Sequence, residues 1–219
     1  TFTIEWWMYP KDTSKNIQII GYKWGSFLFH TSTEGSLYVG IRSLNSSRFL
    51  PSELPAGTMT INEWQHFAFT FNNGTGKFYK NGNLLAIKNG MRLPTSPLDT
   101  FKLTFSVNAY IDELRIWDIE RNETEIFSNI YNHLNGSETG LIGYWNFDDT
   151  TGIYDKTTNN HNGIIKGNCE WSKNVPNDLH IKWSTGDSIS SINVKPTITS
   201  TYTVSIYTSL CTNIDTSII

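Results

Sequence analysis

Apolar and polar side chains alternate with a period of two along most of this chain, the pattern of strands half-buried against a core. In the first run, Phe2, Ile4, Trp6 and Met8 share one face and Thr3, Glu5, Trp7 and Tyr9 the other, and Pro10 ends it. Residues 16–22, 25–31 and 36–42 read as further strands, each bounded by Gly, Ser or Thr. In 64–71 (WQHFAFTF), Phe67, Phe69 and Phe71 fall on one face. Asn81-Gly82 lies between apolar pairs and predicts a type I′ hairpin, whose two turn residues both need positive φ. Residues 101–107 and 110–117 add two strands. One stretch departs from the alternation. Asn122 and Glu125 form a capping-box pattern, and Ile126, Ile130 and Leu134, with Phe127 and Tyr131, follow at helical spacing up to Gly136. The spacing predicts a helix over 123–134. A strand resumes at 141–147, and 148–163, rich in Asp, Thr, Asn and Gly, reads as a long loop. Composition shifts near Pro176, after which short Ser/Thr-rich strands are expected at 179–183, 189–194 and 201–207. This places a domain boundary near 173–178. Strands at this spacing with a single helix predict an all-β sandwich architecture.

Composition narrows the partners. The 14% aromatic content excludes a disordered chain. Only 17% of residues are charged and the net charge is -3, so nothing here matches a phosphate backbone and no nucleic-acid partner is expected. Asn, Ser and Thr supply 69 residues, a surface wetted by amides and hydroxyls that points to an extracellular, secreted or cell-surface protein. The longest apolar runs fall far short of the ~18 residues of a spanning helix, so no membrane insertion is expected. Thr1 opens directly onto strand-like sequence, and the reading here is a fragment whose start lies upstream, attached to other domains of the same longer chain.

Four motifs carry a resemblance. They are Phe2-Thr3-Ile4-Glu5 with Trp7, Asn62-Glu63-Trp64-Gln65-His66-Phe67-Ala68, Phe78-Tyr79-Lys80-Asn81-Gly82, and Ile111-Asp112-Glu113-Leu114-Arg115-Ile116-Trp117. In this order they resemble the laminin-G-like branch of the concanavalin-A-like sandwich, the group that includes pentraxins. The Glu125-Ile126 pair and the stretch 140–147 (GLIGYWNF) are similar to the same family. The resemblance implies a jelly-roll β-sandwich with one short helix over residues 1–176. That family usually carries a Phe-Asp-Gly strand before the first motif and a glycine before the Ile-Asp-Glu strand. Here the chain begins after the former, and Ala109-Tyr110 stands at the latter. The tail, with Ile181-Lys182-Trp183-Ser184-Thr185-Gly186-Asp187 and Thr201-Tyr202-Thr203-Val204, resembles part of an immunoglobulin-like repeat of bacterial surface proteins and sets a second unit at 177–219.

Candidate chemistry follows from the faces. If Phe67, Leu114 and Ile4 point inward, Glu5, Trp7, His66, Glu113, Arg115 and Trp117 share the outward face. Rings flanked by carboxylate and guanidinium groups suit a glycan, stacking on its C–H faces and bonding its hydroxyls. Trp7, His66, Arg115 and Trp117 are therefore candidate ligand contacts, with Tyr22 and Trp24 from the more variable region beside them. The other reading stays open: Arg115 bridges Glu5 or Glu113, and the tryptophans pack beneath a loop or the helix. The resemblance also implies a structural Ca²⁺ with Asp112 as a ligand, set against a plain hydrogen bond from Asp112 to its neighbourhood. Glucanases of this fold have a Glu-x-Asp-x-(x)-Glu strand. Asp112-Glu113 and Asp118-Ile119-Glu120 lack its third carboxylate, so no catalysis is expected. Cys169 and Cys211 either close a loop of about 42 residues or stay free. The expected function is a non-catalytic module binding a glycan or a protein. The alternatives are an accessory module of a glycoside hydrolase and a structural stalk.

Overall fold

A computed structural model describes residues 1–11, 17–20, 27–31, 37–41, 48–55, 57–92, 108–176, 180–187, 192–208 and 211–218. The expected strands at 101–107 and the side chains of Tyr22 and Trp24 lie outside these residues. The strands are β1 (Phe2–Pro10), β2 (Ile17–Ile20), β3 (Phe27–Thr31), β4 (Leu37–Ile41), β5 (Arg48–Phe49), β6 (Gln65–Asn72), β7 (Thr75–Lys80), β8 (Asn83–Lys88), β9 (Ala109–Trp117), β10 (Leu141–Trp145), β11 (His180–Trp183), β12 (Thr201–Thr208) and β13 (Cys211–Ile218). One helix, α1, covers Glu123–Asn129. A single 3-10 turn, Pro51–Glu53, follows β5.

Antiparallel pairing builds a six-stranded sheet in the order β10-β9-β1-β6-β7-β8 and a four-stranded sheet in the order β2-β3-β4-β5. The strand alternation does what the sequence predicts on the inner side. Ile4, Trp6, Met8, Phe67, Phe69, Phe71, Phe78 and Leu114 from the first sheet meet Phe29, Leu37, Val39 and Phe49 from the second in one buried core. Trp6 meets Phe29 edge-on at 4.9 Å, and Phe29 lies 5.1 Å from Phe67, so aromatic contacts cross the gap between layers. The result is an all-β jelly-roll sandwich with one short helix. Strands β11, β12 and β13 form a separate three-stranded antiparallel sheet. Of the expected strand at 189–194, residues 192–194 are irregular, whereas β13 forms from a polar run that the sequence reading did not mark.

Two local expectations are met residue by residue. Asn81 and Gly82 take φ of 50° and 80°, the two positive values of the hairpin turn joining β7 to β8. Asn122 accepts from the Glu125 amide, and the Glu125 carboxylate accepts from the Asn122 amide, closing the capping box. The helix is shorter than its periodicity predicts, ending at Asn129 instead of 134. The carbonyls that would continue it have other donors: Arg115 takes those of Asn129 and Asn132, and the Trp7 indole takes that of Ile130.

The hairpin also packs against the helix. A Cβ on Gly82 would stand 2.6 Å from the Phe127 ring, whereas one on Gly90, also at positive φ, would meet nothing within 4 Å. Gly90→Ala is expected to cost about 1 kcal/mol from backbone conformation alone. Gly82→Ala is expected to cost about 2–4 kcal/mol, the excess measuring the hairpin–helix contact. Equal losses in chemical denaturation would show that Phe127 gives way freely.

Candidate functional site

The outward face of the six-stranded sheet is not open. Trp7 and Trp117 are 4% exposed, and His66 and Arg115 1%. The expectation that these four meet a ligand is corrected on that ground: alternation does turn them away from the core, but the chain from 119 to 132 covers them. Three donors of this face bind the backbone of the cover. The Trp7 indole N–H donates to the Ile130 carbonyl at 3.0 Å, and Arg115 donates to the carbonyls of Asn129 at 2.9 Å and Asn132 at 2.6 Å. Below α1, Ile126 packs on Ala68 and Tyr79, and beyond it Trp117, Leu141 and Tyr144 make a second apolar contact.

Glu5 sits at the centre of this layer, fully buried on β1. Its Oε1 accepts from the Trp117 indole at 2.7 Å and from Arg121 at 2.6 Å. Arg121 in turn lies 4.2 Å over the Trp117 ring and donates to the Glu125 carbonyl, and its own backbone N–H donates to Thr3. Sequence reasoning missed Arg121. The signal available was its place immediately before the N-cap, where the chain turns back over the sheet. Burial pushes the Glu5 carboxyl up, but the charges of Arg121, Arg115 and His66 and the Trp117 hydrogen bond outweigh it, and the group stays below the usual carboxylate range. His66 is driven the other way: burial lowers it to about 4, against the pull of Glu5, so the ring is neutral. Its Nε2 stands 3.6 Å from Glu5, beyond hydrogen-bond reach.

A second knot surrounds Glu113, which has a φ of 51° at a bulge where the β1–β9 register shifts. Arg115 donates to its Oε2 at 2.6 Å, the Tyr144 hydroxyl lies 2.9 Å from each oxygen, and His133 approaches to 3.4 Å. Asp112 accepts from the Glu113 backbone N–H at 2.9 Å, which holds the bulge. Burial, then the adjacent Glu113 charge, raises the Asp112 carboxyl to about 7. Calcium takes 6–8 oxygen ligands. Among the described residues no three His, Cys, Asp or Glu side chains converge on a point that could hold a metal ion, so no calcium chemistry is derived from Asp112. Cys169 is exposed with a free thiol.

The cover stops short of one end of the face, where Tyr131 rests on Trp7 at 5.2 Å. Beyond it lie Tyr9, Trp64 and Tyr110, all half-buried. Tyr9 pairs with Tyr110 across β1 and β9, and Met8 pairs with Gln65, so Trp64 stands one step further along on the next strand. Three adjacent strands thus end in three rings on one side. Tyr9 lies 5.7 Å from Trp64 and 5.6 Å from Tyr110, and Trp64 and Tyr110 are stacked at 6.2 Å. Lys11 places its Nζ 3.8 Å from the centre of the Tyr110 ring. The Trp64 indole donates to the exposed Asn174 side chain at 3.1 Å. Hydrogen bonds from Lys11 and Ser172 hold the Tyr110 hydroxyl below its ordinary range. Tyr9 could have been found from its alternation with Trp7; the meeting with Trp64 needed the register.

Residues 1–127 match the laminin-G-type profile of the concanavalin A-like lectin/glucanases superfamily. That is more than half of the chain, and the chain belongs to this superfamily. No curated protein matches. Among solved structures, the chain is similar to a protein of Bacteroides ovatus inferred to bind carbohydrate, with 20% identity and a TM-score of 0.59 over 74% of this chain. It spans 50% of that protein's length. It is also similar to a heptameric pentraxin of Limulus polyphemus, at 12% identity and a TM-score of 0.45 over 70% of this chain and 78% of that one. A third is domain 4 of an extracellular arabinanase of Geobacillus stearothermophilus in complex with arabinotriose, at 20% identity and a TM-score of 0.37, covering 57% and 64%.

Two outcomes follow from the buried layer. Arg121→Met leaves Glu5 without its guanidinium and is expected to cost about 3–5 kcal/mol. Lys77→Met breaks a partly exposed pair with Glu120 and is expected to cost under about 1 kcal/mol. Similar losses in urea unfolding would mean that Glu5 is not the keystone. The second outcome concerns pH. Between about 4 and 6.5 the unfolded chain protonates His66 and the folded one does not, so this group makes stability fall as pH falls. Between 3.8 and about 7 the folded chain keeps the Asp112 proton that the unfolded one releases, so this group makes stability rise as pH falls. The two oppose each other across the shared window. Asp112→Asn keeps the bulge hydrogen bond and removes the second contribution. It is expected to be about 2–4 kcal/mol more stable than the wild type at pH 8, with the gain gone near pH 4. A gain independent of pH would refute the burial of an ionised Asp112.

Proposed function

We propose, from the premise that the chain belongs to the concanavalin A-like lectin/glucanases superfamily, that it is a non-catalytic carbohydrate-binding module acting outside the cell. Membership of that superfamily is the observation that carries the reading. The likeness of fold to the Bacteroides ovatus protein inferred to bind carbohydrate supports it, as does a surface rich in amides and hydroxyls.

The non-catalytic half rests on how the buried carboxylates are used. Glycoside hydrolysis needs two carboxyl groups facing each other across the scissile bond, both free to meet substrate. Glu5 is taken by Trp117 and Arg121. Glu113 is taken by Arg115 and Tyr144, and Asp112 by the backbone of its neighbour. Asp155 accepts from the amides of Tyr144, Thr157 and His161 and from the Thr157 hydroxyl. Asp112 and Glu113 have their pKa values pushed apart, as an acid and its partner would. They are, however, consecutive residues serving one bulge, with no cleft between them for a sugar.

Affinity electrophoresis on soluble polysaccharides, with a glycan array run in Ca²⁺ and in chelator, tests the reading. Retardation by at least one polysaccharide is expected, with no reducing ends released during prolonged incubation. Failure to bind any sugar at millimolar concentration would remove the recognition function, and steady release of reducing ends would remove the non-catalytic one.

A further inference from the structure

We propose that Tyr9, Trp64 and Tyr110 form a stacking platform for the pyranose rings of a neutral glycan, with Lys11 and Asn174 at its rim as hydroxyl partners. The inference rests on the carbohydrate-binding reading and gives it a place on the molecule.

Among the described residues, the platform is a part of the outward face that the cover leaves partly accessible. Chain 119–132 closes over Glu5, Trp7 and Arg115, and its Tyr131 ring rests on Trp7. The next row out consists of the paired Tyr9 and Tyr110 with Trp64 beside them, and all three retain solvent contact. Strand spacing sets rings on adjacent strands about 5 Å apart, the scale of one sugar ring. Their mutual contacts of 5.6, 5.7 and 6.2 Å, at interplanar angles of 42°, 62° and 27°, fix the rings as a tilted cluster before any ligand arrives, with Lys11 over the Tyr110 face. A preformed aromatic surface loses little side-chain entropy on binding.

The rim has the chemistry that sugars need. Hydroxyls both donate and accept, so a sugar site wants amides and hydroxyls in preference to a block of one charge. Lys11, Asn62, Ser172 and Asn174 are exposed around the rings. The two cations, Lys11 and Lys173, are matched by Glu63 next to Trp64 and by Glu170, whose charge acts on Tyr110. With no net positive field, the rim does not select an acidic glycan, and this favours a neutral one.

The competing role is structural, since Asn174 and Ser172 tie the 170–174 segment to the same rings. The full 219-residue chain and its variants separate the two when run by affinity electrophoresis on neutral β-glucan, xylan, arabinan and galactan, with melting temperature recorded in parallel. Trp64→Ala and Tyr110→Ala are expected to weaken retardation by about tenfold or more, the worth of one stacked ring. Lys11→Ala, at an exposed residue outside the core, is expected to weaken it about threefold with unchanged melting. Tyr154→Ala, an exposed ring on the 148–163 loop that takes no part in the cluster, is expected to bind as wild type. Wild-type affinity in Lys11→Ala and in folded Trp64→Ala and Tyr110→Ala would overturn the platform while leaving carbohydrate binding in place. A wild-type chain that none of the four polysaccharides retards would overturn both.

Discussion

The structure depends on one buried charge. Glu5 lies in the middle of β1, which is itself flanked by β9 and β6 in the six-stranded sheet. A carboxylate at that depth is tolerable only with a paired cation and good donors. The cation, Arg121, comes from the turn after β9, and the Trp117 indole completes the pair. Once Arg121 is drawn onto the sheet, the chain that follows must lie on it as well. Helix α1 starts at the next residues and presses Ile126 against Ala68 and Tyr79. The cover over the outward face is thus a consequence of placing a charge in a strand.

The same constraint explains why the helix is short. An α-helix leaves its last carbonyls without intrahelical partners. Here the sheet supplies the donors: Trp7 and Arg115 take the carbonyls of residues 129, 130 and 132. These side chains stand at fixed heights above the sheet, and the backbone unwinds from helical geometry to meet them. A longer helix would satisfy its own amides but take the Asn129 and Asn132 carbonyls from Arg115 and leave a buried indole N–H without an acceptor, the costlier arrangement. Arg115 therefore decides both where the helix stops and how Glu113 is held.

Much of this was legible in the sequence, and what was not has a physical reason. Period-two alternation placed β1, β6 and β9 and their inner faces correctly, because hydrophobic burial between two layers demands it. Asn81-Gly82 and the Asn122/Glu125 pair were legible because turns and caps rest on local geometry. The outward face was misread as open for an equally plain reason. Alternation reports which residues leave the core, and a face buried under a polar network has the same letters as a face in water. Glu5, Arg115 and Trp7 would look the same in either place. Only Arg121, over a hundred residues from Glu5 in sequence, distinguishes the two, and no periodicity links them. Strand β13 was missed because CTNIDTSI lacks the apolar alternation that marks a half-buried strand.

The candidate site was half legible. Tyr9 alternates with Trp7, so the face on which both stand was legible from sequence, whereas the cover over Trp7 was not. On β1 the more accessible ring lies one step beyond Trp7, at Tyr9, which pairs with Tyr110 and has Trp64 alongside. The placement has a physical basis. A cover can close over charged residues only where it brings their partners, as it does here with Arg121 and the carbonyls of Asn129 and Asn132, and side chains at its margin must tolerate both water and apolar contact. Tyrosine and tryptophan have that dual character, each with an apolar ring and a polar tip. In this sheet the charged residues cluster mid-strand and the amphipathic rings stand at the strand ends. The boundary between covered and accessible surface therefore follows side-chain chemistry, with partly exposed rings standing where the charged network ends.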